Sequence, residues 1–339
     1  MDIAQKIKDK ALELGIEECG IIKPEAMLGY GDRLRERMKK IPNGEATYGG
    51  FMHLADVTGK YPWAKSIVVI AMHYGHYRLP ENMRHYGKCY TVGPHYNSHS
   101  PERLKANALD VYMRELGLKV EINERLGVTG MRWAAKMAGI GIIRRNNFFY
   151  TEKGSWYHIE AWMTDCDMEL IGQEKPAECP SGCESCFKAC PTHALSEPYT
   201  MNMAECISLL TVSNQPSLGS DEVNSQMGCY IYGCDICQDV CPMNNGKWSY
   251  DDDFPDLDEL SENLSPSMLI EMDYSEMEKL FERPFVYIEP RALWRWKINA
   301  INALVNEKRY DAIPIIQAAS SDREEIVRKK VQWALEKLS

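Results

Sequence analysis

Apolar residues recur at helical spacing from the start of the chain: Ile3, Ile7, Ala11 and Leu14 share one face of a helix that Gly15 should end. Cys19-Gly20-Ile21-Ile22 then reads as a short strand. The unbroken apolar run from Ser66 to Met72 suits a strand covered on both faces. Leu104 to Leu116 has a helical period and stops at Gly117, after which Leu118 to Ile122 alternates like a half-exposed strand. Gly130 to Ala138 predicts another helix. Phe148-Phe149-Tyr150 and Trp156 to Trp162 flank the turn residues Glu152-Lys153-Gly154, as in a hairpin. Strand and helix alternate, so an α/β (α+β) first domain is expected over residues 1–165.

The polar, Pro-containing stretch from Gln173 to Glu178 reads as a junction into a cysteine-rich module over residues 166–250. Beyond it, residues 251–339 begin with the acidic run Asp251 to Asp256. Helix-period segments follow at Ala292 to Leu304, Asp311 to Ala319 and Asp322 to Leu338. These predict a helical tail of one or two stacked helix pairs.

At 339 residues, 45% hydrophobic and 26% charged, the chain can bury a full core, which excludes a disordered or collagen-like protein. The Ser66 to Met72 run is far short of a membrane span, and the first residues mix charge with apolar positions unlike a signal peptide. A cytoplasmic protein without membrane association is expected. The net charge of -10 is local, because residues 243–282 carry 12 acids against two lysines. Residues 283–339 hold 11 basic against seven acidic side chains, so the acidic total does not exclude a nucleic-acid partner.

Nine of the 12 cysteines fall between 179 and 241. In a chain expected to keep its thiols reduced, that density points to metal rather than disulfides. Cys183-x2-Cys186-x3-Cys190-Pro191 and Cys234-x2-Cys237-x3-Cys241-Pro242 are two copies of the core of the bacterial ferredoxin run, whose last cysteine ligates the opposite cluster. Two [4Fe-4S] clusters follow: one on Cys179, Cys183, Cys186 and Cys241, the other on Cys190, Cys234, Cys237 and either Cys206 or Cys229. Four-cysteine zinc sites also use C-x2-C pairs, but paired C-x2-C-x3-C-P runs favour clusters.

Six of the eight histidines lie between 53 and 99, and His73-Tyr74-Gly75-His76-Tyr77 directly follows a predicted strand, where α/β folds place ligands. With His85, Tyr86, Tyr90, His95, Tyr96 and His99 it reads as a pocket wall, although each residue alone suits a half-buried loop. No dinucleotide, P-loop or zinc-protease motif is present, nor the D-x-H-x-x-G motif of one corrinoid-binding class. In the tail, Arg291, Trp294, Arg295, Trp296 and Lys297 interleave bases with aromatics, which suits either an RNA clamp or a packed helix with a basic edge.

Taken together, these residues resemble the epoxyqueuosine reductase family, the cobalamin and double-[4Fe-4S] enzymes of tRNA queuosine synthesis related to reductive dehalogenases. The resemblance covers Tyr61 to Val69, Ala138-Gly139-Ile140-Gly141 with Arg145-Asn146, Gly154-Ser155-Trp156 and Thr164-Asp165. It continues through Cys183 to Leu195, Cys206 to Thr211 and Ile231 to Pro242. It implies a nitroreductase-like corrinoid domain, a ferredoxin-like module, a HEAT-like tail that docks tRNA, and a low-potential donor such as flavodoxin or ferredoxin. It favours Cys206 as the eighth ligand. It also implies cobalamin contacts from Tyr90, His95, Tyr96, Arg144, Arg145, Asn146 and Ser155.

Two departures stand out. The family's V-D-[ST]-x-P segment, which carries a catalytic Asp, is here Glu121 to Gly127, where Glu124 is the nearest carboxylate and Asn123 aligns about as well. The family's G-W-x-G-K-[NH]-[ST] loop is here Gly141-Ile142-Ile143-Arg144-Arg145-Asn146-Asn147, with arginine in place of a glycine. The altered pocket leaves two other readings: a small-molecule reductase of the dehalogenase kind, and an electron-transfer partner without corrinoid.

Overall fold

A computed structural model describes residues 2–93, 99–122, 127–213, 221–281, 285 and 287–339. The first helix, Ile3–Glu13, ends where expected, and Gly15 adopts φ +74. Strand β1 (Glu18–Ile22) follows, then β2 (Ser66–His73) and a short β3 (Tyr77–Arg78). After the Pro101–Glu115 helix come β4 (Val120–Glu121), the Met131–Met137 helix, β5 (Ile142–Ile143), β6 (Phe149–Tyr150) and β7 (Tyr157–Thr164).

The main sheet has the order β1-β2-β7-β4, with every pair antiparallel. Alternating strands and helices suggest parallel pairing, but the excursion through the Leu28–Lys40 and Gly44–Tyr48 helices returns the chain to the end where β1 finished. The ligand-site rule for parallel sheets therefore does not apply to the loop after β2.

Strand β2 is apolar at successive positions because both of its faces are covered. Val68, Ile70 and Met72 pack with Trp162 against Ile7, Ala11, Leu109 and Met113 of two helices. Ile67, Val69 and Ala71 pack with Ala161 and Met163 against Ala134 and Ala135 on the other side.

The hairpin expected between residues 148–150 and 156–162 does not form. Thr151 and Gly154 bridge across the turn, but β6 pairs with β5 and β7 pairs with β2, so the two arms diverge into different sheets. Past residue 165 the chain stays on this unit. Leu170 bridges Ile21, and Gly172 N–H donates to Ala138 O at 2.8 Å. Gly139 is required there: it adopts φ +69, and a Cβ would lie 2.2 Å from Gly172 O.

Helices Ser185–Ala189 and Ile236–Asp239 each carry the second cysteine of one C-x2-C pair and lie against each other. Strand β8 (Asp252–Asp253) joins the acidic run to β3 in parallel, and Arg78 pairs with Asp253 and Asp258 at 2.8 and 3.0 Å. The acidic run thus fastens the tail to the first unit.

Helix Trp294–Asn306 packs on Pro266–Glu271 and Glu325–Leu338. Its Trp296 stacks on Tyr232 at 5.2 Å and 11°. Asn299 Nδ2 donates to Thr211 O and Ile231 O, both at 2.8 Å. The RNA clamp is overturned here. Trp294, Arg295, Trp296 and Lys297 are all buried, since Arg295 donates to Ser213 O and Lys297 pairs with Asp322. Only Arg291 is exposed. The pocket-wall reading of residues 73–86 fails likewise for Tyr74, Tyr77, His85 and Tyr86, which are core residues. Tyr74 packs against Trp156, His158 and Trp248.

Candidate functional site: cysteine groups beside a basic cavity

None of the 12 cysteines is joined in a disulfide. Cys179, Cys183, Cys186 and Cys241 line one small pocket with Arg144, Arg145 and Asn146. Burial pushes Cys186 up to about 11, with added repulsion from Cys241, Cys179 and Cys183. Burial also raises Cys206, Cys234 and Cys237; Cys206 adds to the shift of both Cys234 and Cys237, and Cys190 to those of Cys206 and Cys237. The thiols therefore fall into two adjoining groups, 179/183/186/241 and 190/206/234/237. Buried thiols that resist ionisation on their own suit a metal, whose charge takes the place of their protons.

Cys229 lies elsewhere. Burial raises it, its charged neighbours are Glu307 and Arg84, and its carbonyl faces His85 Nδ1 at 2.8 Å. Cys19 is a buried strand residue pushed up to about 12, and burial also raises Cys89.

The predicted cobalamin contacts serve mainly to brace the cysteine loops. Arg145 Nη1 donates to Cys183 O at 2.5 Å. Asn146 Nδ2 donates to Tyr150 Oη at 2.9 Å and Cys237 O at 3.2 Å. Ser155 Oγ donates to Gln238 Oε1 and accepts from Asn244 Nδ2. Tyr90 Oη lies 3.2 Å from Ser208 Oγ, two residues beyond Cys206. Arg144 is buried at the first cysteine pocket. None of these five lines the large cavity described next, which the 141–155 stretch meets through Ile142, Ile143 and Asn147. His95, Tyr96 and Glu124 lie outside the described residues.

A cavity of about 720 Å³ opens between the Leu28–Lys40 helix, the Met131–Met137 helix, β5 and residues 199–203. Tyr30, Tyr48 and Trp133 give it aromatic walls, and among the described residues Arg33, Arg37, Arg132 and Lys136 share its lining with one acid, Glu178. Arg37 is anchored to Tyr199 O at 3.1 Å and Asn147 Oδ1 at 2.5 Å, and Arg132 Nη1 donates to Asn147 O at 3.0 Å. Met203 lines this cavity and belongs to the short 3-10 turn Met203–Glu205 that ends at Cys206, so the second cysteine group lies close to it. Sequence reading missed its first wall, although Tyr30, Arg33, Leu34 and Arg37 repeat at helical spacing.

Residues 178–244 match the family described as a 4Fe-4S double cluster binding domain. The module is therefore an iron-sulfur module. Epoxyqueuosine reductase of Bacillus subtilis is 30% identical over 302 residues, covering 82% of this chain and 72% of that protein. The chain belongs to the epoxyqueuosine reductase family. It is accordingly an oxidoreductase, and its mixed α and β fold is the family's. A solved Bacillus subtilis epoxyqueuosine reductase, with its catalytic loop swung out of the active site, superposes with TM-score 0.78 at 25% identity over 99% of this chain and 90% of that one. An epoxyqueuosine reductase solved with an epoxyqueuosine-modified tRNA-Tyr stem loop has the same fold, at TM-score 0.77 and 24% identity over 98% and 89%. Among the described residues, no helix is long and apolar enough to cross a membrane.

Proposed function

We propose that this epoxyqueuosine reductase family member deoxygenates epoxyqueuosine in tRNA, with two [4Fe-4S] clusters feeding electrons toward cobalamin held in the large cavity. The observation that carries this reading is the cavity of about 720 Å³ that Met203 lines, three residues before Cys206. Its aromatic and basic lining suits a corrinoid with amide and phosphate groups, and a polyanionic substrate above it. Bound there, cobalamin would supply a low-potential cobalt centre able to reduce the epoxide.

Cluster one takes Cys179, Cys183, Cys186 and Cys241; cluster two takes Cys190, Cys206, Cys234 and Cys237. Their grouping in the fold supports this ligand set. The first set is flanked by the exposed residues Ser181 and Gly182, which suits the side that meets a donor such as flavodoxin or ferredoxin. The second set lies close to the cavity. Removing an epoxide oxygen as water takes two electrons and two protons, so a proton donor is needed beside the substrate. We assign that role to Glu124. The tail acts as a HEAT-like brace, supported by its stacked helices, and the first unit as the nitroreductase-like corrinoid domain.

Anaerobic protein loaded with cobalamin and given a reductant should convert epoxyqueuosine in a tRNA stem loop to queuosine, read by nucleoside chromatography. Conversion should fall at least a hundredfold in Glu124→Gln, on the order of a general acid's contribution. Zinc in place of iron and sulfide, or no cobalamin binding by calorimetry, would overturn the reading.

A further inference from the structure

Arg144 is 2% exposed, and its Nε and Nη1 have no hydrogen-bond partner. Its guanidinium lies 4.8 Å above the Tyr150 ring, a contact that orients the group and leaves both of these nitrogens unsatisfied. A buried cation persists only where an anion compensates it. The pocket that Arg144 lines is the one formed by Cys179, Cys183, Cys186 and Cys241. The neighbouring polar side chains are already engaged: Arg145 donates to Cys183 O, and Asn146 to Tyr150 Oη and Cys237 O. Arg144 alone among the three keeps buried donors free.

We propose that Arg144 tunes the first cluster: its Nε and Nη1 donate to the sulfurs of the cluster on these four cysteines, and its charge raises that cluster's reduction potential. The inference rests on the cluster reading above. A [4Fe-4S] centre with four thiolates gains one negative charge when it takes one electron, going from dianion to trianion. A fixed cation and two N–H donors stabilise the trianion more, and hydrogen bonds to sulfur are a recognised lever on such potentials.

The test is an EPR-monitored redox titration of the full anaerobic protein, with iron and sulfide measured on each sample. Arg144→Gln should keep its iron while one midpoint falls. The reduced-to-oxidised ratio of that cluster at fixed poise should drop about tenfold, or ~59 mV for a one-electron couple. The affected signal should be the one that survives Cys206→Ala, and Arg144→Lys should restore most of the shift. Loss of iron in Arg144→Gln with recovery in Arg144→Lys would also support a charge role. Unchanged midpoints at full iron content, or equal defects in both variants, would overturn it. Wild-type protein that carries zinc without sulfide would instead refute the cluster reading itself.

Discussion

Lys297 Nζ sits 3.1 Å from a carboxylate oxygen of Asp322, with the two side chains only 8% and 4% exposed. Burial alone would raise Asp322, but the Glu324 N–H, the Tyr274 hydroxyl and the Lys297 ammonium together hold it below the usual carboxylate range. The bases of this helix therefore staple the tail together and do not reach solvent.

Lys297→Ala should lower stability by about 3 kcal/mol at pH 7, because it leaves a buried carboxylate without its cation. Asp322 is depressed in the folded state, so the pair's contribution is present above the unfolded carboxylate value near 3.8 and is lost as pH falls through the lower folded value. Urea titrations at pH 7 and near pH 3 should show the variant's deficit shrinking in acid. A deficit that stays constant with pH would remove Asp322 from the account.

Cys206→Ala should cost the second cluster, reducing iron from about eight to about four per chain. Cys229→Ala should leave iron intact, since its charged neighbours are Glu307 and Arg84 and no other cysteine affects it. Iron and sulfide assays on anaerobic protein decide between them, and the reverse outcome would move the eighth ligand.

Cluster chemistry made the cysteines legible in sequence, because thiolates on one tight loop must be spaced to reach corners of a cube. Strand β2 was legible because burial on both faces leaves an unbroken apolar run. The fate of Arg144 and Arg145 was not, since adjacent arginines differ only in what the fold brings to them. The run from Trp294 to Lys297 left a clamp and a packed helix both open for the same reason: Asp322 and the Ser213 carbonyl, distant in sequence, engage its bases and decide for the packed helix. The cavity was hidden because Tyr30, Arg33 and Arg37 have the period of any solvated helix face. Strand sense was hidden too, since strands and helices alternate in parallel and antiparallel arrangements alike.

Glu18, on β1, is raised to about 7 by burial first and then by Glu174 and Glu17, against Lys153 and Lys8. Its folded value lies above its unfolded one, so its favourable contribution is complete below pH 4.5 and lost as pH rises through about 7. Glu18→Gln should therefore stabilise the protein at pH 8 by roughly 1 kcal/mol, a figure reduced for the solvent screening of a partly exposed group. At pH 4 the two proteins should unfold alike. Thermal melts across this range check it, and a gain that does not grow with pH would show that the carboxylate is not the cause.

If tRNA is read at the large cavity, its phosphates should meet the bases of the rim and not the tail. Arg33 and Lys136 are the useful probes, because Arg37 and Arg132 are tied to Asn147 and their loss would disturb the wall itself. Lys136 is exposed over the Trp133 ring, and Arg33 lies over the Tyr199 ring at 4.8 Å. Each phosphate contact adds about one unit to the slope of log affinity against log salt. Arg33→Ala with Lys136→Ala should thus weaken binding of an epoxyqueuosine-modified stem loop about tenfold or more at low salt and lower that slope by about two. Arg291→Ala is the matched control: its side chain is 79% exposed and paired with Glu289 on the tail, so it should bind like wild type. Filter binding at low and moderate salt separates the two sites. A slope that drops with Arg291→Ala and holds with the rim variant would place the RNA on the tail and leave the cavity to the cofactor alone.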